Sequence, residues 1–325
     1  MIVTQTPLRI SFFGGGTDFP GFYRNHGGAV LSTAIDKYVF VIVKERFDDD
    51  IYINYSRKEI VDSVDEVQHD LVREAMHATG VTSGVEITTL ADVPSTGTGL
   101  GSSSAVLVGL LHALHTHQGD LVTAKQLAEE ACAIEIDRLG RPIGEQDQYI
   151  AAFGGMRLIE FGRDGAVNPQ RLHLAHGTRQ RLATRLMLFY TNRGRSADTI
   201  LGDQRDNIPY RIDVLDAMRD MAYGGVEHLV AEDFDALGRD LDAAWQLKTQ
   251  LAKHISDAEI DGHYSQAKAA GALGGKITGA GGGGFMLIYA PPSQQDRVRD
   301  ALASLRELPV GFEADGSKVI FNIRG

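Results

Sequence analysis

The chain has 325 residues, 43% of them hydrophobic and 23% charged, a composition that is ordinary for a globular protein and a length that predicts two domains sharing a cleft. The formal net charge of −11 argues against nucleic acid or an anionic membrane as a partner, because both bind cationic surfaces. The sequence contains neither a long apolar span nor a signal-peptide pattern, and its single cysteine, Cys132, excludes an internal disulfide, so we expect a cytoplasmic protein.

The first half of the chain alternates strand-like and helix-like segments. Four segments have the β-branched and aromatic residues that are typical of strands: "LRISFF", "KYVFVIVKER", "IYIN" and "VEITTL". The segment "DEVQHDLVREAMHATG" has helical spacing and ends at Gly80, a common C-terminal stop. Another helix follows "GSSS", and because residues 105–114 are almost wholly apolar we expect it to be buried on most sides.

A further predicted helix, "TAKQLAEEACAIEIDRLG", begins at Thr123 and ends at Gly140, and the strands "MRLIEF" and "LMLFY" follow it. The second half has three long helical patterns, near 204–222, 226–254 and 257–273. It closes with a strand "FMLIYA", a helix after "PPSQQD" and a strand "VIFN". The boundary that we predict divides the chain into an N-terminal domain of residues 1–185 and a C-terminal domain of residues 186–325.

The stretch "PSTGTGLGSSSA" leads through glycines and serines into the predicted buried helix. A glycine-rich turn at a helix N-terminus offers backbone N–H groups and the positive end of the helix dipole, which together favour a phosphate. The Walker pattern would need a lysine where Ser102 stands, and the dinucleotide fingerprint fails because Gly101 follows the preceding glycine after one residue instead of two. A plain turn with a serine cap is the structural alternative. We predict a third kind of phosphate loop, formed by Gly97, Gly99, Leu100, Gly101, Ser102, Ser103 and Ser104.

Two more glycine-rich segments flank this turn along the chain. Near the N-terminus, "TPLRISFFGGGTDFPGF" is a strand that ends in three glycines before Thr17 and Asp18, so a tight turn delivers a hydroxyl and a carboxylate. Near the C-terminus, "KITGAGGGGF" places five glycines just ahead of a strand that begins at Phe285. Each segment could be structural separately, but three of them in one chain are best explained by a backbone that wraps closely around a polar ligand.

These three motifs, in this order and at these separations, resemble the three sequence motifs of the GHMP kinase superfamily. Within the superfamily, the segments "GEQDQYIAAFGG" and "YTNRGRSADTIL" are most similar to the D-glycero-D-manno-heptose 7-phosphate kinases. The resemblance implies an α+β fold of two domains, the first like the second domain of ribosomal protein S5 and the second with a ferredoxin-like sheet. It also implies ATP-dependent phosphorylation of a sugar hydroxyl, in this subfamily the anomeric hydroxyl of a heptose that already carries a phosphate.

The resemblance assigns the catalytic groups to two residues. Asp147, in "GEQDQ", matches the catalytic aspartate of galactokinase-like members and would accept the proton of the attacking hydroxyl. Arg9 corresponds to an arginine beside the transferred phosphoryl group and would keep Asp147 ionised while neutralising developing charge. The structural alternatives are an aspartate that caps the "QYIAAF" segment and an arginine in an ordinary salt bridge.

A carboxylate for Mg²⁺ can be found by helical periodicity. One face of the helix that begins at Thr123 is apolar and comprises Leu127, Ala128, Ala131 and Cys132. Glu135 falls in the middle of that face, whereas Asp137 points to the polar side. A buried carboxylate is costly unless it is paired or binds a metal. We therefore predict that Glu135 and Ser103, or a neighbouring serine, hold Mg²⁺ beside ATP.

The sugar is assigned to the first and third motifs. By resemblance, Thr17 and Asp18 hold substrate hydroxyls, and the preceding Gly15 and Gly16 replace the Glu-His pair of galactokinases, which weakens the case for galactose and leaves room for a bulkier sugar. The remaining predicted substrate-binding residues lie in loops next to the family motifs, three of them as cations for a substrate phosphate and two as backbone contacts: Arg193, Arg195, Lys276, Gly281 and Gly282.

The sequence therefore predicts a cytoplasmic kinase that uses ATP and Mg²⁺ to convert D-glycero-D-manno-heptose 7-phosphate into the 1,7-bisphosphate, with nucleotide-activated heptose as the later product. One alternative is a related kinase for fucose, galactose or a neutral hexose. The other is a sensor that binds ATP and sugar without turnover. The expected partner is a small-molecule sugar or sugar phosphate, and the sequence is compatible with a homodimer.

Overall fold

The computed structural model describes residues 1–94, 97–193 and 197–323. In these ranges the strands are β1 (Ile2–Phe13), β2 (Gly28–Glu45), β3 (Ile51–Asn54), β4 (Lys58–Val61), β5 (Val85–Ala91), β6 (Met156–Phe161), β7 (Val167–Arg171), β8 (Leu186–Tyr190), β9 (Gly274–Ile277), β10 (Phe285–Tyr289), β11 (Arg306–Glu307) and β12 (Lys318–Asn322). The helices are α1 (Pro20–His26), α2 (Asp70–Thr79), α3 (Ser102–Gln118), α4 (Ala124–Cys132), α5 (Gln146–Phe153), α6 (His176–Ala183), α7 (Ala197–Asn207), α8 (Ile212–Ala231), α9 (Phe234–Lys248), α10 (Ala258–Ala269) and α11 (Gln295–Ala301). None of the helices in these ranges is long and apolar enough to cross a membrane.

The larger sheet forms the framework of the N-terminal half. Its strands follow the order β12-β1-β2-β5-β3-β4, and β6 extends from β2 to β7. The pairs are antiparallel except for β3 with β5. Helix α3 packs on β1 and β2 through a face of buried aliphatic side chains, which confirms the buried helix predicted after the serines.

The smaller sheet has the order β11-β8-β10-β9 and its pairs are antiparallel. Helices α8 and α9 pack against each other and connect the two sheets, since α8 contacts β2 and α9 contacts β9. The α+β fold class predicted from the sequence is confirmed. The smaller sheet begins with β8, directly after residue 185, whereas β12 returns to the larger sheet beside β1, so the boundary at residue 185 stays a prediction.

The helix predicted from Thr123 to Gly140 is divided in the structure. Thr123 caps α4 by accepting a hydrogen bond from the Gln126 amide at 3.1 Å, and α4 ends at Cys132. Residues 133–138 then form a wider π-helical turn. Such turns are rare, and they occur frequently at functional sites. Here the turn carries Glu135, the residue predicted to be a buried carboxylate.

Candidate active site

The predicted motifs converge on a cavity of about 560 Å³, a size typical of small-molecule sites. Its wall includes residues from both halves of the chain, among them Arg9 from β1, Asp147 from α5 and Lys276 from β9. The predicted residues that line the cavity are Arg9, Gly15, Gly16, Asp18, Gly97, Gly99, Gly101, Ser102, Ser103, Ser104, Glu135, Asp147 and Lys276.

The phosphate loop runs directly into α3. Gly101 adopts a left-handed conformation just before the helix and its carbonyl accepts the hydrogen bond of the Ala105 amide at 3.0 Å. The first amides of a helix have no partner inside the helix, and they face a cavity lined by three serines. Leu100 supports the loop through its backbone: its side chain is buried, and its carbonyl accepts a hydrogen bond from the Arg9 amide at 3.0 Å.

The second and third glycine motifs pack against each other. A Cβ atom on Gly99 would lie 2.3 Å from the carbonyl oxygen of Thr278, so only glycine fits this approach. The Phe285 amide donates to the Thr98 carbonyl at 3.1 Å and fixes the contact. Gly279 and Ala280 line the cavity, but Gly281 and Gly282 do not. Gly279 therefore supports the phosphate loop, since a Cβ atom on it would lie 2.6 Å from Gly99 Cα, whereas Gly281, predicted to contact the ligand, packs against Ile255 instead.

Arg9 and Asp147 form a bidentate ion pair. Arg9 Nε and Nη2 each donate to one carboxylate oxygen of Asp147 at 2.6 Å. The third arm of the guanidinium, Nη1, donates to the carbonyl of Gly99 at 2.6 Å. Both residues line the cavity, and the side chain of Asp147, 23% exposed, is more accessible there than that of Arg9, 6% exposed. The pair thus presents a carboxylate beside the phosphate loop in one fixed orientation.

Glu135 is fully buried and its carboxylate accepts hydrogen bonds from four side chains. The donors are Ser103 to Oε1 at 2.6 Å, Arg141 to Oε1 at 3.1 Å, and Ser104 and Gln148 to Oε2 at 2.7 Å each. Burial raises the pKa of Glu135, and the serine hydrogen bonds partly oppose this shift. Asp137 is exposed, as the helical periodicity predicted.

The oxygen atoms around Glu135 fit a magnesium ion. Ser102 hydrogen-bonds Thr98 at 3.1 Å, whereas Ser103 and Ser104 point at Glu135, and Ser103 is the more exposed of these two. One carboxylate and a hydroxyl suffice when waters and nucleotide phosphates complete the shell. In the part of the chain that the structure describes, no cluster of three or more His, Cys, Asp or Glu side chains could hold a metal ion. A bound ion would therefore depend on the nucleotide for ligands.

Asp18 lies at the other end of the cavity. It accepts hydrogen bonds from the Gly16 amide at 2.8 Å and from Gln146 Nε2 at 2.9 Å, and burial raises its pKa. Gly144 makes this placement possible, because a Cβ atom there would lie 2.1 Å from Asp18 Oδ2. The Thr17 hydroxyl faces away from the cavity and donates to the carbonyls of Gly14 and Ala29. Of Thr17 and Asp18, which were expected to hold substrate hydroxyls, only Asp18 lines the cavity.

Two buried lysines accompany Asp18. Lys276 donates to the carbonyls of Ser11 and Phe12 at 2.9 and 3.0 Å. Lys248, the last residue of α9, donates to the carbonyl of Gly279. Burial and neighbouring cations lower the pKa of Lys248 to about 8 and that of Lys276 well below its usual range.

Lys248 was missed by the sequence analysis because no glycine motif contains it. Helical periodicity would have found it, since it follows Leu241, Ala244 and Trp245 by seven, four and three residues and so shares their buried face.

Of the two predicted phosphate-binding arginines, the structure describes one. Arg193 does not line the cavity and forms ion pairs with Asp257 at 2.7 Å and Glu259 at 3.0 Å. Arg195 lies outside the described residues. The cations that the structure brings into the cavity, besides Lys248 and Lys276, are Arg9 and Arg141.

One part of the cavity wall is formed by residues that no sequence motif indicated. Tyr55, His69, Leu71 and Val106 line the cavity beyond the serines. The Tyr55 and His69 rings meet edge to face with centroids 4.7 Å apart. Aromatic and aliphatic surface of this kind suits a flat heterocycle, and its proximity to the phosphate loop suits a nucleotide.

Comparison with known proteins supports the resemblance of the motifs. The family model described as GHMP kinases N terminal domain matches residues 64–155, and the model described as GHMP kinases C terminal matches residues 226–307. A D-glycero-alpha-D-manno-heptose 7-phosphate kinase from Campylobacter jejuni is 31% identical over 323 residues, covering 93% of each chain.

Two further comparisons concern one more distant relative in sequence and one solved structure. An L-fucokinase/L-fucose-1-P guanylyltransferase from Bacteroides fragilis is 26% identical over 92% of this chain but only 35% of its own length. The crystal structure of a D-glycero-D-manno-heptose 1-phosphate kinase from Bacteroides thetaiotaomicron superposes with a TM-score of 0.84 over the whole of both chains at 24% identity. At this identity the superposition speaks for the fold alone.

Proposed function

This chain belongs to the GHMP kinases and is an ATP-dependent sugar phosphotransferase, and from this premise we propose that it phosphorylates the anomeric hydroxyl of D-glycero-D-manno-heptose 7-phosphate. The product would be the 1,7-bisphosphate, a precursor of nucleotide-activated heptose. The observation that carries the proposal is the acceptor end of the cavity, where a buried carboxylate lies beside two buried lysines. The similarity to a heptose 7-phosphate kinase along 93% of the chain supports the same acceptor.

The order of side-chain contacts along the wall supports a position for ATP at one end of the cavity. Tyr55 touches His69, whose neighbour Asp70 contacts Arg141, and Arg141 in turn contacts Ser103. We place the adenine against the aromatic and aliphatic surface at Tyr55 and the phosphates over the glycine-serine turn. The γ-phosphate then approaches Arg9, which contacts the phosphate loop through Gly99.

Asp147 would accept the proton of the acceptor hydroxyl as its oxygen attacks the γ-phosphorus. The new oxygen–phosphorus bond forms while the bond to the β-phosphate oxygen breaks, ADP leaves, and the proton resides on Asp147. Arg9 fixes the direction of the carboxylate through two hydrogen bonds and places positive charge beside the transferred group.

Ser103 and Glu135 would hold Mg²⁺ on the opposite side of the phosphates. When bound, the ion would neutralise charge on the phosphate oxygens. The buried position of Glu135 and its serine contacts support this assignment, because an ionised carboxylate that is 0% exposed gains from a divalent partner.

The acceptor would lie against Asp18, which has lone pairs left to accept sugar hydroxyls, with the Gly15–Gly16 backbone close by. Among the described residues Lys248 donates to the Gly279 carbonyl, and its ammonium has three N–H donors, so we assign it, together with Lys276, to the anionic part of the sugar phosphate. Arg195 stays a candidate for the same role, whereas Arg193 would first have to leave Asp257 and Glu259.

The alternatives are a fucose or galactose kinase and a sensor without turnover. The similarity to a fucokinase supports the first of these. The bidentate pairing of Asp147 with Arg9 speaks against the sensor, because it orients a carboxylate that simple binding does not need.

The experiment that decides among these functions is a panel of acceptors. The protein is mixed with ATP, Mg²⁺ and either D-glycero-D-manno-heptose 7-phosphate, the unphosphorylated heptose, the heptose 1-phosphate, L-fucose or D-galactose, and ADP release is followed. We expect the highest kcat/KM for the 7-phosphate, and a new phosphorus resonance coupled to the anomeric proton. Preference for another sugar would refute the acceptor, and ATP binding without ADP release from any sugar would favour the sensor.

A further inference from the structure

Arg141 joins three elements at the phosphate end of the cavity. Its Nη1 donates to Ser103 Oγ at 2.6 Å and to Glu135 Oε1 at 3.1 Å, and its Nη2 donates to Asp70 Oδ2 at 2.8 Å. The Arg141 amide also donates to the Glu135 carbonyl at 2.9 Å, which ties the residue to the π-helical turn. The guanidinium therefore contacts the same two oxygens, Ser103 Oγ and Glu135 Oε1, that we assign to Mg²⁺.

A guanidinium and a divalent ion cannot share these oxygens. Arg141 supplies N–H donors, and each donor occupies a lone pair that a magnesium ion would need at about 2.1 Å. The two cations would also repel each other at this distance. One of them must leave before the other can bind.

We propose that Arg141 is a positioning residue that occupies the metal side of the site in the nucleotide-free protein, and that Mg²⁺ displaces its Nη1 from Ser103 and Glu135 when the nucleotide binds. The inference rests on the proposed Mg²⁺ site. Among the four side chains that donate to Glu135, Arg141 is the cation, so it balances the buried charge until the ion arrives.

The contact with Asp70 gives the displaced guanidinium a second anchor. The Asp70 side chain is 42% exposed and that of Arg141 is 22% exposed, so Nη1 can move without unpacking the core. Burial is the largest single influence on Asp70 and opposes its ionisation, but the hydrogen bond and charge of Arg141, together with the Leu71 amide, lower the pKa of Asp70 overall. When the ion displaces Nη1, the Arg141 side chain loses its hydrogen bonds with Ser103 and Glu135 and keeps the one with Asp70.

The cost of displacement must appear in the affinity for the ion. A site whose competent state is only partly populated binds its ligand more weakly by that fraction. Arg141→Met removes the competing charge and keeps most of the apolar stem. We expect the Mg²⁺ concentration that half-saturates the ADP complex to fall roughly five-fold, with little change in ADP affinity without a divalent ion.

The test is calorimetric titration of ADP at graded Mg²⁺ concentrations and one fixed pH, and it needs no sugar. Arg138→Met is the matched control, since Arg138 is half exposed, contacts Glu74 at 3.8 Å and does not line the cavity. Arg141→Lys is the second variant, because one ammonium cannot span Asp70 and Ser103 together. Its half-saturating Mg²⁺ concentration should fall by a smaller factor.

The ligand-free protein gives a second readout. Arg141→Met should lower its Tm, and saturating Mg²⁺ with ADP should remove most of the difference from the unsubstituted protein. A half-saturating Mg²⁺ concentration that stays unchanged or rises in both Arg141 variants would overturn the proposal. Loss of the Mg²⁺ effect on ADP binding in Glu135→Gln, with unchanged Arg141 variants, would leave the metal site in place and refute only the role of Arg141.

Discussion

The two ends of the cavity differ in the sign of the charge that their side chains leave unbalanced. At the end with the phosphate loop, the carboxylates of Asp70, Glu135 and Asp198 surround the guanidinium of Arg141. An excess of negative charge beside a loop for phosphate calls for another cation. This balance supports a site in which phosphate and a divalent ion bind together.

The acceptor end has the opposite balance. Lys248 and Lys276 accompany the single carboxylate of Asp18 there, and all three side chains are buried. Between the ends, Arg9 and Asp147 pair one to one. Burial and the neighbouring cations oppose the protonated form of both lysines and lower their pKa values, and an anionic acceptor beside them would raise those pKa values again. A chain with a net charge of −11 can therefore still offer an anion a local cationic site.

The largest effect on turnover that we expect comes from the ion pair of Arg9 and Asp147, between the two ends of the cavity. Asp147→Asn keeps the size of the side chain but removes its ability to take a proton. We expect kcat to fall roughly 10²- to 10⁴-fold, while the affinity for ATP stays nearly the same, because we place ATP against the loop and the acceptor against the carboxylate. Steady-state kinetics and ADP titration measure the two quantities. Undiminished turnover in a folded Asp147→Asn protein would remove Asp147 from the catalytic role.

The second prediction tests the excess of negative charge at the phosphate-loop end of the cavity. Glu135→Gln preserves the shape of the side chain but lacks the charge that would hold Mg²⁺, and its amide nitrogen cannot accept the hydrogen bonds that one carboxylate oxygen accepts. The Mg²⁺ concentration for half-maximal turnover should rise by roughly 10- to 100-fold, with little change in metal-free ADP binding. Asp137→Asn is the control, because this acid lies two residues away on the exposed face of the same segment. If both variants responded alike, the effect would reflect general charge and not a site at Glu135.

How far the sequence predicts the site depends on how local the signal is. Glu135 could be predicted because a carboxylate on an apolar helical stripe is visible in a dozen residues, and its burial survives the change from α-helix to π-helical turn. The glycine turns likewise carry their conformation in their own residues. These features are set by short-range geometry, so one sequence is enough to find them.

The contacts that assemble the acceptor end are of a different kind. Lys248 ends α9, whereas Gly144 and Gln146 lie just before and at the start of α5, and these two distant segments meet Asp18 only because the fold closes them around it. Arg193 shows the converse, since its position beside a motif predicted a phosphate contact and tertiary pairing directs it to Asp257 and Glu259. For long charged side chains, proximity in sequence to a motif does not determine which charge they meet.

The third prediction tests the positive end through Lys248→Met. This change removes a buried ammonium and keeps the apolar stem. We expect KM for the heptose 7-phosphate to rise roughly ten-fold or more, as for loss of a charge-assisted hydrogen bond, with a much smaller effect on the unphosphorylated heptose. Lys253→Met is the control, because Lys253 is exposed and does not line the cavity. Equal changes in KM for both sugars would contradict a contact between Lys248 and the phosphate.

The same lysine predicts a smaller dependence on pH, in opposite directions for binding and for stability. The ammonium of the free protein loses its proton as pH rises through about 8, so kcat/KM for the phosphorylated acceptor should decline above that pH, and Lys248→Met should lack this decline.

The stability of the protein should change in the opposite direction. An unfolded lysine keeps its proton up to its usual pKa, 10.5, so between about 8 and 10.5 the unfolded state binds more protons than the folded state. Lys248 therefore makes the free energy of unfolding increase with pH across this window. Below that window the buried ammonium is a net cost. Lys248→Met should therefore raise Tm most at pH 7, by about 2 °C or more, and its advantage should shrink towards pH 10. A Tm difference that stayed constant from pH 7 to pH 10 would show that Lys248 is not an ionised buried group, and would take away the positive charge on which the anionic acceptor depends.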